Sequence, residues 1–212
     1  MAQFFAIHPT HPQLRLVRQA AQIVRGGGLI AYPTDSCYAL GCHIGDKPAM
    51  QRLRRVRGVG EKHPLTLMCR DLSEISTYAV VDNAQYRLLR AATPGSYVFI
   101  LRATREVPRR LMHPRRKTIG VRVTSHPVAR ALLEELGEPM LSATLALPGD
   151  AAPLSVAQEI RVRLEHQVDL VIDGGICGVE PTTVIDISGA VPRVLRRGKG
   201  PLEPFLEEIA SG

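Results

Sequence analysis

Apolar residues recur along the chain at two spacings, which together predict helices and strands in alternation. In the first predicted helix Leu14, Val17, Ala21 and Val24 recur every three or four residues, as in a helix with one buried face. Short, mostly apolar runs between glycine and proline are typical of buried strands. Helices are predicted at 10–25, 46–57, 71–76, 82–92, 125–136 and 155–166, and strands at 29–32, 65–69, 97–101, 118–123, 140–145, 168–172, 184–187 and 193–196.

Short polar side chains mark the predicted helix starts. Thr10 followed by Gln13 has the spacing of a capping box for the first helix. Asp46 is predicted to cap the second helix, and Ser125 and Ser155 to cap two later ones. In each case the side-chain oxygen would accept a hydrogen bond from a free N–H group of the first helical turn.

The order of these elements predicts an α/β protein. Strands and helices alternate for most of the chain, and the last two strands flank Ser188-Gly189 as a hairpin. We therefore expect a twisted, open mixed sheet flanked by helices. A chain of 212 residues with 45% hydrophobic content is long enough to bury its core as a single domain, 1–212.

The chain carries excess positive charge, with 27 Lys and Arg against 20 Asp and Glu and a net charge of +7. Arginine dominates, and because a guanidinium forms paired hydrogen bonds with phosphate, the charge favours a polyanionic partner. Codon usage that places arginine on solvated faces explains the same composition. The four cysteines form no CxxC pair, and no secretory leader or apolar span of about 20 residues is visible, so we expect a cytoplasmic protein that does not bind membranes.

The segment 29–41, LIAYPTDSCYALG, is the strongest candidate for a binding site. Pro33 ends a run of four apolar residues, and Thr34, Asp35 and Ser36 follow it. Ligands of open α/β sheets bind beyond the carboxyl ends of strands, where these three side chains would lie. A plain turn, with Thr and Asp bonded to nearby backbone, accounts for the same residues. Taken alone, the segment does not identify a ligand.

The same nine residues resemble a family signature. Pro33-Thr34-Asp35-Ser36-Cys37-Tyr38-Ala39-Leu40-Gly41 is similar to the motif Pro-Thr-acid-Thr-x-Tyr-Gly-Leu-Gly of threonylcarbamoyl-AMP synthases in the YrdC/YciO family. The order of the later motifs, as far as Gly198, is most similar to the YciO branch. The resemblance implies a YrdC-like open α/β fold with a basic concave cleft. It also implies a reaction that joins L-threonine, bicarbonate and ATP into threonylcarbamoyl-AMP and releases pyrophosphate.

The later motifs imply which side chains would bind the substrates. The segments Arg55-Val56-Arg57, Thr118-Ile119-Gly120-Val121-Arg122, Ser142-Ala143-Thr144, Thr182-Thr183-Val184 and Leu195-Arg196-Arg197-Gly198 are each similar to a family motif. The resemblance assigns nucleotide binding to Arg55, Arg57, Thr118, Ser142, Thr144 and Arg196. It assigns threonine binding to Thr34, Ser36, Arg122 and Thr182.

Two of these positions depart from the family pattern. Arg55 stands where the family has lysine, and Thr144 where it has asparagine. Position 55 keeps its charge, but a planar guanidinium replaces a compact ammonium. Thr144 keeps a hydroxyl but lacks the paired donor and acceptor of an amide. We therefore expect synthase chemistry that is weaker than, or altered from, that of the family.

Two functions remain open at this point. The first is an enzyme that activates threonine with ATP; no protein nucleophile or metal cluster is recognised, and Mg²⁺ would enter bound to the nucleotide. The second is a module that binds double-stranded RNA or tRNA through the same cleft. Aromatic residues make up only 4% of the chain, which favours backbone contacts over base stacking. A purely structural role leaves the motifs unexplained, and 3,4-dihydroxy-2-butanone-4-phosphate synthase, with its related fold, would require clustered acidic metal ligands that the sequence lacks.

Overall fold

The computed structural model describes residues 1–205, which form one ten-stranded mixed sheet flanked by six α-helices. The strands are β1 (Gln3–Ala6), β2 (Ile30–Tyr32), β3 (Ala39–His43), β4 (Thr66–Cys69), β5 (Tyr97–Arg102), β6 (Thr118–Val123), β7 (Met140–Thr144), β8 (Leu170–Asp173), β9 (Thr183–Asp186) and β10 (Arg193–Arg196). The helices are α1 (Leu14–Arg25), α2 (Lys47–Arg57), α3 (Leu72–Tyr78), α4 (Asn83–Ala92), α5 (Pro127–Leu136) and α6 (Ala157–Leu164). The predicted α/β class is confirmed. The single domain predicted over 1–212 extends into 206–212, which lie outside the described residues.

The strands follow the order β1-β8-β2-β3-β7-β4-β6-β5-β9-β10 across the sheet. Neighbours are parallel in the pairs β1 with β8, β8 with β2, β4 with β6 and β5 with β9, and antiparallel in the others. The predicted terminal hairpin is present as β9 and β10 at one edge. None of the helices in residues 1–205 combines the length and apolar character needed to cross a membrane.

Two apolar clusters pack against opposite faces of the sheet. The smaller joins the buried sides of α1 and α5 to the sheet and includes Ile30 and Tyr32, whereas Leu29 and Ala31 belong to the larger cluster on the other face. β2 is therefore buried on both faces, which explains why it appears in the sequence as a continuous apolar run. Met68 of β4 belongs to the smaller cluster and also lines the cavity described below, so the cleft lies on the face that α1 and α5 partly cover.

Three predicted caps are wrong. α1 starts at Leu14 after Gln13, whose side-chain oxygen accepts from the backbone N–H of His8 at 3.0 Å instead of serving a capping box with Thr10. The N-cap of α5 is His126, whose Nδ1 accepts from the N–H of Val128, in place of Ser125. The N-cap of α6 is Val156 in place of Ser155, without a side-chain hydrogen bond.

Two strands are not predicted by the hydrophobic pattern. β1 has four residues and lies at an edge, so it lacks the long apolar run of a central strand. β3 begins directly after the turn that follows β2 and contains Gly41, so its pattern is continuous with that of the turn. An added side-chain carbon at Gly41 would come within 2.8 Å of Met140 and Tyr32, which explains the glycine in this strand.

Candidate functional site

The cleft face of the sheet carries the small and polar residues of several strands. In β6 the apolar residues of the larger cluster alternate with small and polar ones: Ile119, Val121 and Val123 point into the core, and Thr118, Gly120 and Arg122 lie on the opposite face. Such alternation is expected of a strand that packs on one side and lines a cleft on the other. β7 contributes Ser142 and Thr144 to the same face.

A cavity of about 400 Å³ lies on this face, a volume within the range of small-molecule sites. Its wall includes residues of the turn after β2, the end of α2, and strands β6, β7, β9 and β10. Seven of the ten predicted site residues line it: Ser36, Arg57, Arg122, Ser142, Thr144, Thr182 and Arg196. The fold therefore brings together side chains that are up to 160 positions apart in the sequence.

Arg122 is buried at the inner end of this cavity, with 5% of its surface exposed. Its Nη2 donates to the carboxylate of Asp35, to Ser36 Oγ at 3.1 Å and to Thr34 Oγ1 at 3.3 Å. Thr34 does not line the cavity, but lies behind Ser36 and donates to the carbonyl of Cys37 at 2.6 Å. The structure thus brings all four residues predicted to bind threonine to this cavity, Thr34 as support behind the wall and Ser36, Arg122 and Thr182 on it.

Helix α2 delivers Arg57 to the cavity. Gly58 adopts the left-handed conformation, with φ of +63°, and ends the helix immediately after Arg57. Arg57 Nη1 donates to the carbonyl of Ala146, and burial lowers the pKa of this guanidinium, which remains charged at neutral pH. Arg55 is exposed and does not line the cavity, because residues two apart on a helix point in different directions. The structure therefore does not bring Arg55 together with the other predicted residues.

Within residues 1–205, two buried side-chain nitrogen atoms lack a hydrogen-bond partner, and both belong to this site. They are Nε of Arg57 and Nε of Arg122. A buried donor without a hydrogen-bond partner costs about 1–3 kcal/mol, and more when the donor is charged. Native proteins therefore rarely leave such a donor unpaired. Both atoms belong to guanidinium groups that line the same cavity, so positive charge is concentrated on its wall.

Ser142 is held by a second hydroxyl beneath it. Its Oγ lies 2.7 Å from the hydroxyl of Tyr32, which is fully buried. Burial raises the pKa of Tyr32 to about 12, so the phenol is neutral and is able to donate. With Tyr32 donating to Ser142, the serine would present its own hydrogen to the cavity.

The last two sequence motifs pack on each other at the cavity edge. Arg196 donates to Thr182 twice, from Nε to the carbonyl and from Nη2 to Oγ1, both at 3.0 Å. Gly198 lies so close to the backbone of this segment that an added side-chain carbon would sit 2.2 Å from the carbonyl oxygen of Pro181. This close approach requires glycine and accounts for the spacing of Arg196 and Gly198.

A second cavity, of about 540 Å³, adjoins the first and shares six wall residues with it. Thr118, predicted to bind nucleotide, lines this second cavity and is absent from the first. Thr118 and Arg122 are four positions apart on β6, or about 13 Å of strand. The predicted site residues on β6 therefore face two connected cavities and not one.

Neither Asp nor Glu belongs to the wall of the first cavity. Three guanidinium groups, those of Arg57, Arg122 and Arg196, face it, and the carboxylate of Asp35 lies behind Arg122. In the part of the chain that the structure describes, no group of three His, Cys, Asp or Glu side chains is arranged to hold a metal ion. A dianionic or polyanionic ligand matches this charge pattern.

Comparison with known proteins identifies the family. The model of the Sua5/YciO/YrdC family, described as "Telomere recombination", matches residues 22–198. The chain belongs to the Sua5/YciO/YrdC family. The predicted resemblance is thereby confirmed, including its extent to Gly198.

Within this family the chain is similar to YciO of Escherichia coli K12, an uncharacterised protein. The two are 59% identical over 206 residues, which cover 97% of this chain and all of the relative. The crystal structure of E. coli YciO superposes with a TM-score of 0.93 over the same share of this chain and the whole of that chain. The predicted similarity to the YciO branch is confirmed.

More distant family members carry an activity in their names. A threonylcarbamoyl-AMP synthase of Halorhodospira halophila is 33% identical over 172 residues, covering 80% of this chain and 89% of the relative. The crystal structure of P. abyssi Sua5 complexed with L-threonine is 25% identical to this chain in sequence and superposes with a TM-score of 0.88. That similarity covers 97% of this chain but 60% of the Sua5 chain.

The family motifs leave several site residues unpredicted. His63 lines both cavities, and burial together with the nearby Arg57 and Arg54 lowers its pKa, so its imidazole is neutral at pH 7. Tyr32 bonds to Ser142, and Lys199 donates to the carbonyl of Asp35. The sequence feature that could have indicated His63 is its position beside Pro64, shortly before β4. The structure places this residue on the wall of both cavities.

Proposed function

We propose that this protein binds ATP and L-threonine in the two connected cavities and joins them with bicarbonate into threonylcarbamoyl-AMP and pyrophosphate. The observation that carries the proposal is the convergence of seven motif residues on one cavity, three of which, Arg57, Arg122 and Arg196, bring guanidinium groups to a wall without a carboxylate. The synthase names of the more distant relatives support the same reaction.

The inner end of the cavity suits an amino acid carboxylate. The Arg122 guanidinium would donate to it, with hydroxyl donors from Ser36 and Thr182 nearby. The amine nitrogen of threonine forms a bond to the carbon of bicarbonate and a water molecule leaves, which gives a carbamate whose oxygen attacks the α-phosphate of ATP. The bond from the α-phosphate to the bridging oxygen then breaks, and pyrophosphate leaves. The nucleophile comes from the substrate, so the site needs positioning and charge more than a reactive side chain.

The outer side of the cavity suits phosphates. Arg57 and Arg196 face it without a carboxylate on the wall, and Ser142 and Thr144 offer hydroxyls. Charge from such guanidinium groups would stabilise the negative charge that builds up on the leaving pyrophosphate. Thr118 lies in the second cavity, which gives a nucleotide room to extend past the first. Mg²⁺ would enter on the phosphates, since no carboxylate of the wall competes for it.

The two departures from the family pattern bear on the rate. Thr144 lines the cavity with a hydroxyl where the family has an amide, so one hydrogen bond to the nucleotide would be lost. Arg55 is exposed and outside the cavity, so its change from lysine would matter less. We infer a synthase that is slower than its relatives, mainly through Thr144.

Pyrophosphate release tests the proposal. Release from ATP should depend on both L-threonine and bicarbonate and should stop when either is omitted. Arg196→Ala should reduce the rate at least about tenfold, because Arg196 bonds to Thr182 and lines the cavity. The neighbouring Arg197→Ala is the matched control, since Arg197 is exposed and outside the wall, and should leave the rate within about twofold. Calorimetry should first establish that ATP is bound; saturating ATP without any release would exclude the synthase reaction.

A second candidate function is the binding of double-stranded RNA or tRNA, which the second cavity favours. Six Lys or Arg residues line it against one acid, Glu61: they are Arg54, Lys62, Arg109, Arg110, Arg116 and Lys117. Phosphate contacts by such side chains weaken steeply with salt. Retardation of an RNA duplex that falls with salt, and falls further for Arg109→Ala with Lys117→Ala, would support this role. Binding that salt does not affect would rule out phosphate contacts.

A further inference from the structure

Asp35 ties the turn after β2 to the end of β6 and the residues directly after it. Its Oδ1 accepts from Arg122 Nη2 and from Thr124 Oγ1 at 3.1 Å. Its Oδ2 accepts from the backbone N–H of Ser125 at 3.2 Å and from Ser125 Oγ at 3.1 Å. Burial by itself would raise the pKa of Asp35, but the Arg122 guanidinium and the Ser125 donors outweigh burial and lower it. The carboxylate is therefore ionised at neutral pH.

The bond from Nη2 to Asp35 determines how Arg122 faces the cavity. Within residues 1–205, Nη2 is the one nitrogen of Arg122 that makes hydrogen bonds, and Asp35, Ser36 and Thr34 share it. Nε is buried and unpartnered, and the guanidinium lines the cavity. A planar guanidinium held at one nitrogen by a carboxylate has its other donors fixed in direction. Asp35 itself does not line the cavity.

We propose that Asp35 is a positioning residue for the amino acid substrate: it holds Arg122 by Nη2 so that the rest of the guanidinium, which lines the cavity, is offered to the substrate carboxylate. This inference rests on the proposed function, since it assigns Arg122 to the amino acid. Asp35 touches no substrate and acts through Arg122. Its loss should weaken amino acid binding and leave the nucleotide side unaffected.

Calorimetric titrations with L-threonine and with ATP test this role. Asp35→Asn keeps the shape of the side chain and removes its charge, and should weaken L-threonine binding at least about tenfold while ATP affinity stays within about twofold. Ser125→Ala is the matched control: it removes a hydrogen bond to the other oxygen of Asp35 and leaves the pair with Arg122 intact. It should change neither affinity by more than about twofold. A merely structural role of Asp35 would lower both affinities, or neither, and would overturn the inference.

An NMR signal from the Arg122 side chain tests this inference independently of the proposed function. The ¹H–¹⁵N signal of Arg122 Nε, assigned by its loss in Arg122→Lys, should be sharp in the wild-type protein and in Ser125→Ala and should broaden or shift in Asp35→Asn. An unchanged signal in Asp35→Asn would overturn the positioning role whatever the protein binds. If the signal changes as expected but wild-type protein binds no L-threonine, the assignment of the substrate is wrong and the control of Arg122 by Asp35 stands.

A second variant covers the case in which Asp35→Asn does not fold. Asp35→Glu keeps the charge and displaces the carboxylate by one methylene. Thermal unfolding should show it folded, and it should display the same split, with weakened L-threonine binding and ATP binding near the wild-type value. Wild-type affinity for L-threonine in this variant, together with an unchanged Nε signal, would contradict the proposal.

Discussion

The two ends of the first cavity use arginine in opposite ways. At the inner corner, formed by Thr34, Asp35, Ser36 and Arg122, the guanidinium is paired with a carboxylate of the protein and bonded to two hydroxyls. At the outer rim, formed by Arg57 and Arg196, the guanidinium groups bond to neutral acceptors, the carbonyls of Ala146 and Thr182 and one hydroxyl. The corner is neutral overall, and the rim carries two charges without a protein carboxylate.

This difference shows how one basic cleft would separate two anionic ligands. Burying an ion pair costs more solvation free energy than the attraction between its charges returns, unless its hydrogen bonds are satisfied. The inner corner therefore contributes a fixed orientation of Arg122 more than it contributes stability. A single carboxylate needs direction more than charge. A triphosphate carries several charges and gains most from cations that nothing in the protein neutralises. The following changes test this contrast, from the largest expected effect to the smallest.

Replacing Arg122 or Arg57 by methionine, each in its own variant, should lower the free energy of unfolding by very different amounts. Arg122→Met keeps an unbranched apolar stem but leaves Asp35 buried without its cation, and should lower the free energy of unfolding by about 3–5 kcal/mol at pH 7. Arg57→Met breaks a hydrogen bond to a carbonyl and strands no carboxylate, so about 1 kcal/mol is expected. Urea unfolding measures both. Equal losses would show that the corner is not a distinct, internally paired site.

Acidification should remove the stabilising contribution of Asp35. Its folded-state pKa is lowered from the ordinary 3.8, so this contribution is present in full above that value and is lost as pH falls through the folded-state value. At pH 7, Asp35→Asn should therefore be less stable than the wild type by about 2 kcal/mol. The difference should hold down to about pH 5 and shrink below about pH 4. His126 faces Asp35 and also titrates: burial lowers its pKa and the Asp35 carboxylate raises it, so the comparison is made with His126→Gln in both proteins.

A gap between the two proteins that widens with acid would mean that burial, which raises the pKa of Asp35, prevails over Arg122 and Ser125. The measurement is urea unfolding at a series of pH values.

At the rim, Arg57 and Arg55 offer a matched pair on one helix. Arg57→Ala should weaken ATP binding at least about tenfold, or about 1.4 kcal/mol, because it removes a guanidinium from the cavity wall. Arg55→Ala removes the same charge two residues away on the exposed side and should change the affinity by less than about twofold. Calorimetry with Mg²⁺ and ATP gives both values. Similar losses in the two variants would mean that net charge, and not position, attracts the nucleotide.

Much of the fold follows from local patterns. β6 was predicted with its observed limits, 118–123, because β-branched and apolar residues alternate there with small and polar ones. The cap at Asp46 follows from a short acidic side chain before helical periodicity. Ser125 fails as a cap because its hydroxyl donates to Asp35, a residue 90 positions away. A local rule has no access to such a partner.

The sequence predicts which residues belong to the site better than it predicts where their side chains point. The order of motifs grouped residues that the fold does bring together, but spacing alone does not show that Arg55 and Arg57 point apart or that Thr118 faces a separate cavity. The pairing of Asp35 with Arg122 depends on how the turn after β2 packs beside β6. The strands β2 and β6 are not neighbours in the sheet. Long-range packing of this kind leaves no pattern in a single sequence.

The smallest expected effect concerns Thr144, at the outer part of the cavity. Thr144→Asn restores the amide of the family pattern and should add one hydrogen bond to the nucleotide, so ATP should bind about threefold more tightly, equivalent to about 0.6 kcal/mol. Thr144→Val is the matched control, because it keeps the branched shape on β7 and removes the hydroxyl, and its affinity should fall slightly. If both variants weaken ATP binding equally, the hydroxyl itself is the preferred partner. The departure at position 144 would then be an adaptation to a different ligand and not the loss of a contact.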